Sequence, residues 1–576
     1  MSTGGRASRT HVLIAGALVA AFLLQTISAS LQKSPVFDEP AHIAAGLSYI
    51  STRSFYANPQ HPPLLKELSA ISLLLAGIRW PSTALARQLT QGTDPSAEWP
   101  VGADIIASNG ADRVMFWARL PLILLGGLLG VLIFLWGCDL AGPQPALAAL
   151  FLYAFDPIEI AHSSLVATDA GVGTFTVLFL FLLWRYLRGP SARRLVWCGL
   201  GLGAALASKF SAVALLPIGG MLLFAGMWRR KEPEKPAPPA SLNAPCPCGS
   251  GKKFKRCHGA GQAEKPASGW FTTAVAAARG AVFPFLAMAG VASAFNEVTY
   301  LFLNAPSLYI QGLRSVNADH LAGHVGYLHG ILEGRSPFYF AAAYLLKEPL
   351  ATIILVTIGC FLWWRARAAQ PLAKWFLFLP AAVLLVGYSM GADPAGVRYI
   401  IPVLPFTFLI GGLAICRLAG ARAAVWRAAA AVLCVWVVVA AAGIYPDHLS
   451  YFNESACALE QPGQIGLDGG SRCGPLWLDD SNVDWGQGLK QLRSWLNTQP
   501  ASQPIRLYYF GIMSPQTYGI TVESRNPSEL LDAAPGRYAV SANYVARLQP
   551  ERGARLRDLA PKAIVGHAFY IYDVQP

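Results

Sequence analysis

Ser34–Lys66 reads SPVFDEPAHIAAGLSYISTRSFYANPQHPPLLK. It follows His11–Leu31, an apolar run long enough to cross about 30 Å of hydrocarbon. Asp38 and Glu39 therefore stand together just past a membrane span, with His61, Pro62, Pro63 and Lys66 further along the same segment. A carboxylate beside a bilayer is costly to bury, which makes the pair a functional candidate. The ordinary alternative is two acids that simply face water.

Working outward, the 576-residue chain is 54% hydrophobic and only 13% charged, against roughly 25% charged in soluble domains. The pattern is that of an α-helical polytopic membrane protein with about 11 transmembrane helices. The expected spans are 11–31, 114–138, 146–161, 170–187, 195–207, 210–228, 270–294, 337–364, 375–390, 397–416 and 421–445. The third and fifth fall below the usual minimum of about 17 residues. Charge argues for keeping them. With the N-terminus in the cytosol, the inside connections collect Arg6 and Arg9, Arg185 to Arg194, Arg229 to Lys231, Arg365 to Lys374, and Arg417 to Arg427. Removing one short span would put the later basic loops on the wrong side. The net charge of +13 is thus read as inward-facing loops, with no nucleic-acid partner.

Four parts follow: residues 1–228 with an outer loop at 32–113, a cytosolic insert at 229–269, a second membrane part at 270–445 with an outer loop at 296–336, and an extracytoplasmic segment at 446–576. Apolar stretches near 41–50 and 64–78 are expected as helices along the membrane surface. The last segment alternates strand-like and helix-like stretches (strands near 476–478, 506–510, 536–542 and 563–572, a helix over 487–497), a small α/β domain.

The insert carries CPCGSGKKFKRCHG. Cys246, Cys248, Cys257 and His258 supply three thiolates and an imidazole, the donor set of a closed structural zinc site. Reducing cytosol favours metal over a disulfide. The motif resembles the SEC-C zinc motif, which implies a structural Zn and a docking surface for a protein partner or anionic membrane lipids.

The outer loop, in the order D-E-P-x-H then H-P-P-L-L-K, resembles the first outer loop of GT-C membrane glycosyltransferases of the protein O-mannosyltransferase and aminoarabinose-transferase type. AHSSLVATDA (161–170), FYFAAAYLLKEPL (338–350) and GVRYIIP (396–402) resemble later segments of that superfamily, and YPDHLSYFNE with LDDSNVDWGQGLKQL resemble the tail of bacterial members. The resemblance implies a bacterial inner-membrane enzyme that moves a sugar from a polyprenyl phosphate to an acceptor hydroxyl outside the cytoplasm, with inversion. It gives Asp38 the acid/base role with Glu39 in support. His61, Lys66, Asp169, Lys209, Lys347 and Arg398 become candidates for holding the donor phosphate or substrate. The polar run Asp479–Gln487, with Trp485, either binds sugar or docks the tail, and docking is preferred. Cys457 and Cys473, both placed outside, are expected to pair. A transporter or a silent scaffold is the rival reading; a transporter would show acids in mid-span and repeated halves.

Overall fold

The computed structural model describes residues 7–231, 251, 253, 270–321, 325–365, 371–500, 504–522, 525–551 and 553–576. Among them, eight helices are long and apolar enough to cross a membrane: Arg9–Leu31, Ala111–Ala141, Asp169–Arg188, Phe210–Arg230, Trp270–Thr299, Leu372–Gly391, Val397–Ala419 and Ala424–Ile444. The chain is an integral membrane protein. The expected span at 337–364 is broken into Tyr339–Lys347 and Leu350–Arg365, bent by 113°. Pro349 is the cause: it drives Glu348 out of the helical region to φ −78°, ψ 136°. Counted as one, this pair is a ninth crossing.

The two short expected spans exist as helices of 12 and 15 residues, Pro143–Ala154 and Ala192–Leu206, shorter than the usual crossing length. Each still lies on the chain's return to the end that carries Glu39, since the Val166 N–H donates to Glu39 and Asp169 pairs with Lys209 there. The first stops early because Asp156 caps a new helix, Pro157–Ser163, accepting from the Glu159 N–H at 2.8 Å.

The loop after the first span folds into the helices Glu39–Thr52, Leu64–Leu75 and Glu98–Ser108. The first of these is packed into protein, with every residue from Glu39 to Tyr49 buried. Close approach explains it. A Cβ on Gly46 would overlap the Lys66 carbonyl, and one on Gly102 would overlap the Pro40 carbonyl, so these glycines let the three helices touch backbone to backbone.

The tail is an α/β module. Strands β1 (Gly326–Leu328) and β2 (Ile331–Glu333) form a hairpin in the preceding loop. In the tail, β3 (Ile505–Tyr508), β4 (Gly536–Ser541), β5 (Ala563–Val565) and β6 (Phe569–Val574) lie in the order β3-β4-β6-β5. β3 and β4 run parallel, and the other pairs are antiparallel. The single strand expected over 563–572 is therefore two, reversed at Gly566 and His567, which both take positive φ (60° and 52°). No strand forms at 476–478: Gly474–Trp477 is one helical turn, and Leu478 makes a lone bridge to Leu328. Cys457 and Cys473 form a disulfide.

The module seats on the end of the bundle that carries the Ser34–Lys66 segment. The Ser34 N–H donates to the Gln487 carbonyl (3.1 Å) and the Phe37 N–H to the Trp485 carbonyl (2.8 Å). His567 bridges Asp447 and Asp468 at 2.8 and 3.0 Å, and Lys33 pairs with Asp447.

Candidate active site

The acidic pair divides. Glu39 is fully buried and each of its oxygens accepts twice. Arg119 donates through Nε (2.8 Å) and Nη2 (2.6 Å), and the Val36 and Val166 N–H groups donate at 2.9 Å each. Arg119 also reaches the Ser30 and Ser34 carbonyls (3.1 and 3.0 Å). Glu39 has no lone pair left for a substrate. It ties the start of the Glu39–Thr52 helix and the 164–167 turn to the Ala111–Ala141 helix. The sequence reading missed Arg119, although an arginine inside an apolar run signals a buried partner.

Asp38, one residue earlier, points the other way. Its Oδ2 accepts from Arg398 Nη1 at 3.0 Å, with side chains 27% and 15% exposed. Arg398 stands on the 3₁₀ segment Val397–Val403, and its Nε donates to the Ala395 carbonyl at 3.1 Å. Nearby, Asp169 opens its span and is ion-paired with buried Lys209. Tyr399 lies between the pairs, its ring centre 4.3 Å from Lys209 Nζ and 5.7 Å from the Arg398 guanidinium. Asp38, Arg398, Asp169 and Lys209 thus form an array of alternating charge.

His61 and His42 sit beside it, ring centres 5.6 Å apart. Burial, then His42, Lys209, Lys66 and Arg398, push the His61 imidazole well below its ordinary range. Burial likewise lowers His42, whose Nδ1 contacts the Val166 carbonyl at 2.6 Å.

Lys66 and Lys347 depart from the phosphate-binding expectation for one reason: their ammonium groups are caged by protein oxygens. Lys66 Nζ donates to the Tyr49 hydroxyl (2.8 Å), the Asn58 carbonyl (2.8 Å) and the His61 carbonyl (2.7 Å), which uses its three N–H donors. Burial lowers it to about 7. Lys347 Nζ donates to the Leu449 and Asn482 carbonyls (2.7 and 2.5 Å) and lies 4.5 Å from the Phe452 ring centre. It fastens the tail to the bundle. Trp485 is also at that interface, its ring centre 4.2 Å from the Arg398 guanidinium.

Two cavities meet at His61. One, about 310 Å³, is lined by His61, Lys209 and Tyr399 together with Val383, Leu384 and Tyr388. The second, about 570 Å³, is lined by Tyr49, Phe55, Tyr56 and Tyr300 with Arg53 and Gln311. Among the described residues, no group of three or more His, Cys, Asp or Glu is arranged to hold a metal ion. Cys246, Cys248, Cys257 and His258 lie outside the described residues.

Residues 109–239 match the family described as dolichyl-phosphate-mannose-protein mannosyltransferase, and residues 243–260 match the SEC-C motif. Both resemblances read from the sequence motifs are thereby supported. A 52-residue stretch of the chain is 48% identical to the protein translocase subunit SecA of Cupriavidus metallidurans, and a 32-residue stretch is 62% identical to that of Solidesulfovibrio magneticus. These stretches are 9% and 5% of this chain and 4% of each relative. Among solved structures, ArnT from Cupriavidus metallidurans bound to undecaprenyl phosphate aligns over 98% of both chains at 13% identity and a TM-score of 0.45. The archaeal oligosaccharyltransferase AglB from Archaeoglobus fulgidus, in complex with an inhibitory peptide and a dolichol-phosphate, aligns over 97% of this chain and 75% of its own at 13% identity and a TM-score of 0.41.

Proposed function

We propose that the chain is a GT-C type glycosyltransferase that moves a sugar from a polyprenyl-phosphate donor to an acceptor hydroxyl at the extracytoplasmic face, by single displacement with inversion. The observation that carries the reading is the amphipathic cavity at His61. Lys209, His61 and Tyr399 supply its polar groups and Val383 and Leu384 part of its apolar lining, and Tyr399 links it to Arg398 of the Asp38–Arg398 pair. A prenyl chain needs the apolar lining and a phosphate needs the polar groups. The motif order of the 34–66 segment and the family match over 109–239 support the same activity.

In the free protein each acid of the array is neutralised by its cation. An arriving phosphate competes for Arg398 and Lys209 and leaves Asp38 able to accept a proton. The acceptor oxygen then bonds to the anomeric carbon as the bond from that carbon to the phosphate oxygen breaks. The acceptor proton passes to Asp38, and the electron pair leaves with the polyprenyl phosphate, whose charge Arg398 and Lys209 meet. We assign the acceptor to the second, aromatic cavity because it adjoins the first at His61.

Asp38→Asn retains the shape and one hydrogen bond but cannot take the proton, so a folded, membrane-inserted variant should lose sugar transfer. A variant that still transfers at the wild-type rate would exclude this role, and a transporter or scaffold would then be the better reading. The insert is read as a structural zinc knuckle because its donors are three thiolates and an imidazole and its sequence matches the SEC-C motif.

A further inference from the structure

The tail contributes more than a lid on one end of the bundle. Its Asp479–Gln487 loop braces both segments that carry the Asp38–Arg398 pair. On one side the Ser481 hydroxyl donates to the Ala395 carbonyl (2.8 Å) and Asn482 Oδ1 accepts from the Val397 N–H (2.9 Å). Between these contacts lies Gly396, at φ 113°, where a Cβ would overlap the Ser481 hydroxyl. On the other side the Trp485 carbonyl accepts from the Phe37 N–H (2.8 Å), and the Ser34 hydroxyl donates to the Gly486 carbonyl (3.0 Å). Arg398 and Asp38 are separated by 360 positions in sequence, and one tail loop sets their relative placement.

Trp485 is 2% exposed. Its backbone N–H donates to Gln487 Oε1 at 2.7 Å, which fixes the main chain here, and burial packs the ring under Arg398. A guanidinium stacked face-on against an indole keeps its in-plane N–H groups pointing outward. Two of those directions are used, by Ala395 and Asp38, and Nη2 makes no hydrogen bond among the described residues.

We propose that Trp485 is a positioning residue for the transfer reaction: by stacking under Arg398 it fixes the guanidinium edge-on, so that the free Nη2 edge meets the donor phosphate. This rests on the reading of Arg398 as a phosphate ligand given above. It makes the extracytoplasmic module a wall of the active site and not an appendage.

Binding of undecaprenyl phosphate to the purified full-length protein tests it, in wild type, Trp485→Phe, Trp485→Leu, Arg398→Lys and Trp485→Leu/Arg398→Lys. Phe keeps a ring and should hold binding within roughly two-fold, whereas Leu should weaken it roughly ten-fold. In the Arg398→Lys background, where the planar fork is gone, the Leu substitution should change binding by less than about two-fold. Equal weakening by Leu in both backgrounds, or wild-type binding by a folded Trp485→Leu protein, would overturn the proposal. Should the Leu variant not fold, tetrafluorotryptophan placed at 485 preserves shape and removes the negative ring face. It should weaken binding like Leu, and unaltered binding would overturn the proposal. A wild-type protein that binds no undecaprenyl phosphate would instead remove the functional reading beneath it.

Discussion

Replacing Glu39 should cost folding, whereas replacing Asp38 should cost only chemistry. The carboxylate of Glu39 accepts four hydrogen bonds between 2.6 and 2.9 Å, two of them from Arg119. At about 1.5–3 kcal/mol for each bond to a charged group, the four would sum to roughly 6–12 kcal/mol. That is an upper bound, because Glu39→Ala also relieves the desolvation of a buried charge. Measured losses on breaking one partner out of a buried ion pair run at about 3–5 kcal/mol, much of it the strandedness of the remaining charge. We expect that magnitude for Glu39→Ala and for Arg119→Leu singly. The double variant should lose less than the sum, since neither charge is then left alone. The assay is reversible unfolding in bicelles or steric trapping, run on both singles, the double and Asp38→Asn. Asp38 is partly exposed and its carboxylate has one side-chain partner among the described residues, Arg398, so Asp38→Asn should stay within about 1 kcal/mol of wild type. A Glu39→Ala protein as stable as wild type but unable to transfer sugar would refute the reasoning and restore Glu39 as a direct participant.

Further outcomes concern other buried groups. Because Lys66 falls from its ordinary value of 10.5 to about 7 when folded, the unfolded chain binds more protons between those values. Stability should therefore rise with pH across that window by at most about 1.4 kcal/mol per unit, and unfolding at several pH values should show the slope disappear in Lys66→Met. His567 behaves oppositely. Burial lowers it, but the hydrogen bonds and charges of Asp447 and Asp468 outweigh burial and hold it above its ordinary value. Its contribution to tail docking should be complete below about pH 6.5 and fade as pH rises through the folded value; hydrogen exchange around 447–468 should speed up there in wild type and not in His567→Gln. Lys33 and Arg472 face the same two acids and keep part of the docking at high pH. Metal analysis of the purified chain should find one zinc, lost in Cys246→Ser; full retention would mean that the four donors named are not the ligand set.

Much of the architecture is legible because apolar length is a one-dimensional property. The bundle's long helices appear near the expected positions, and Asp38, Asp169, Lys209 and Arg398 stand out as charges at the ends of apolar runs. The same rule also picked Lys347, and the H-P-P-L-L-K stretch picked Lys66. In sequence Lys347 looks like Lys209. What separates Lys66 and Lys347 from Lys209 is which oxygens the fold brings to each ammonium: the Asn58 and His61 carbonyls for Lys66, the Leu449 and Asn482 carbonyls for Lys347. Such cages are made largely of backbone carbonyls, which carry no residue identity to read. Arg119 was hidden for the converse reason, since its partner Glu39 lies 80 residues away beside a more conspicuous acid. The β5–β6 hairpin was missed because a Gly-His reversal lacks the usual Asn-Gly or Asp-Gly signal. Nothing local in Trp485 predicts a stacked arginine 87 positions earlier; only the docked tail creates it.

The central claim is that Asp38 and Arg398 face the head of a sugar-bearing carrier lipid. Mass spectrometry of lipid co-purified with the Asp38→Asn protein tests it most directly, because that variant should hold the donor and fail to consume it. The account predicts a polyprenyl phosphate with its sugar still attached, retained by Asp38→Asn and depleted in Arg398→Ala. Protein free of any polyprenyl phosphate, or equal occupancy in the two variants, would contradict it.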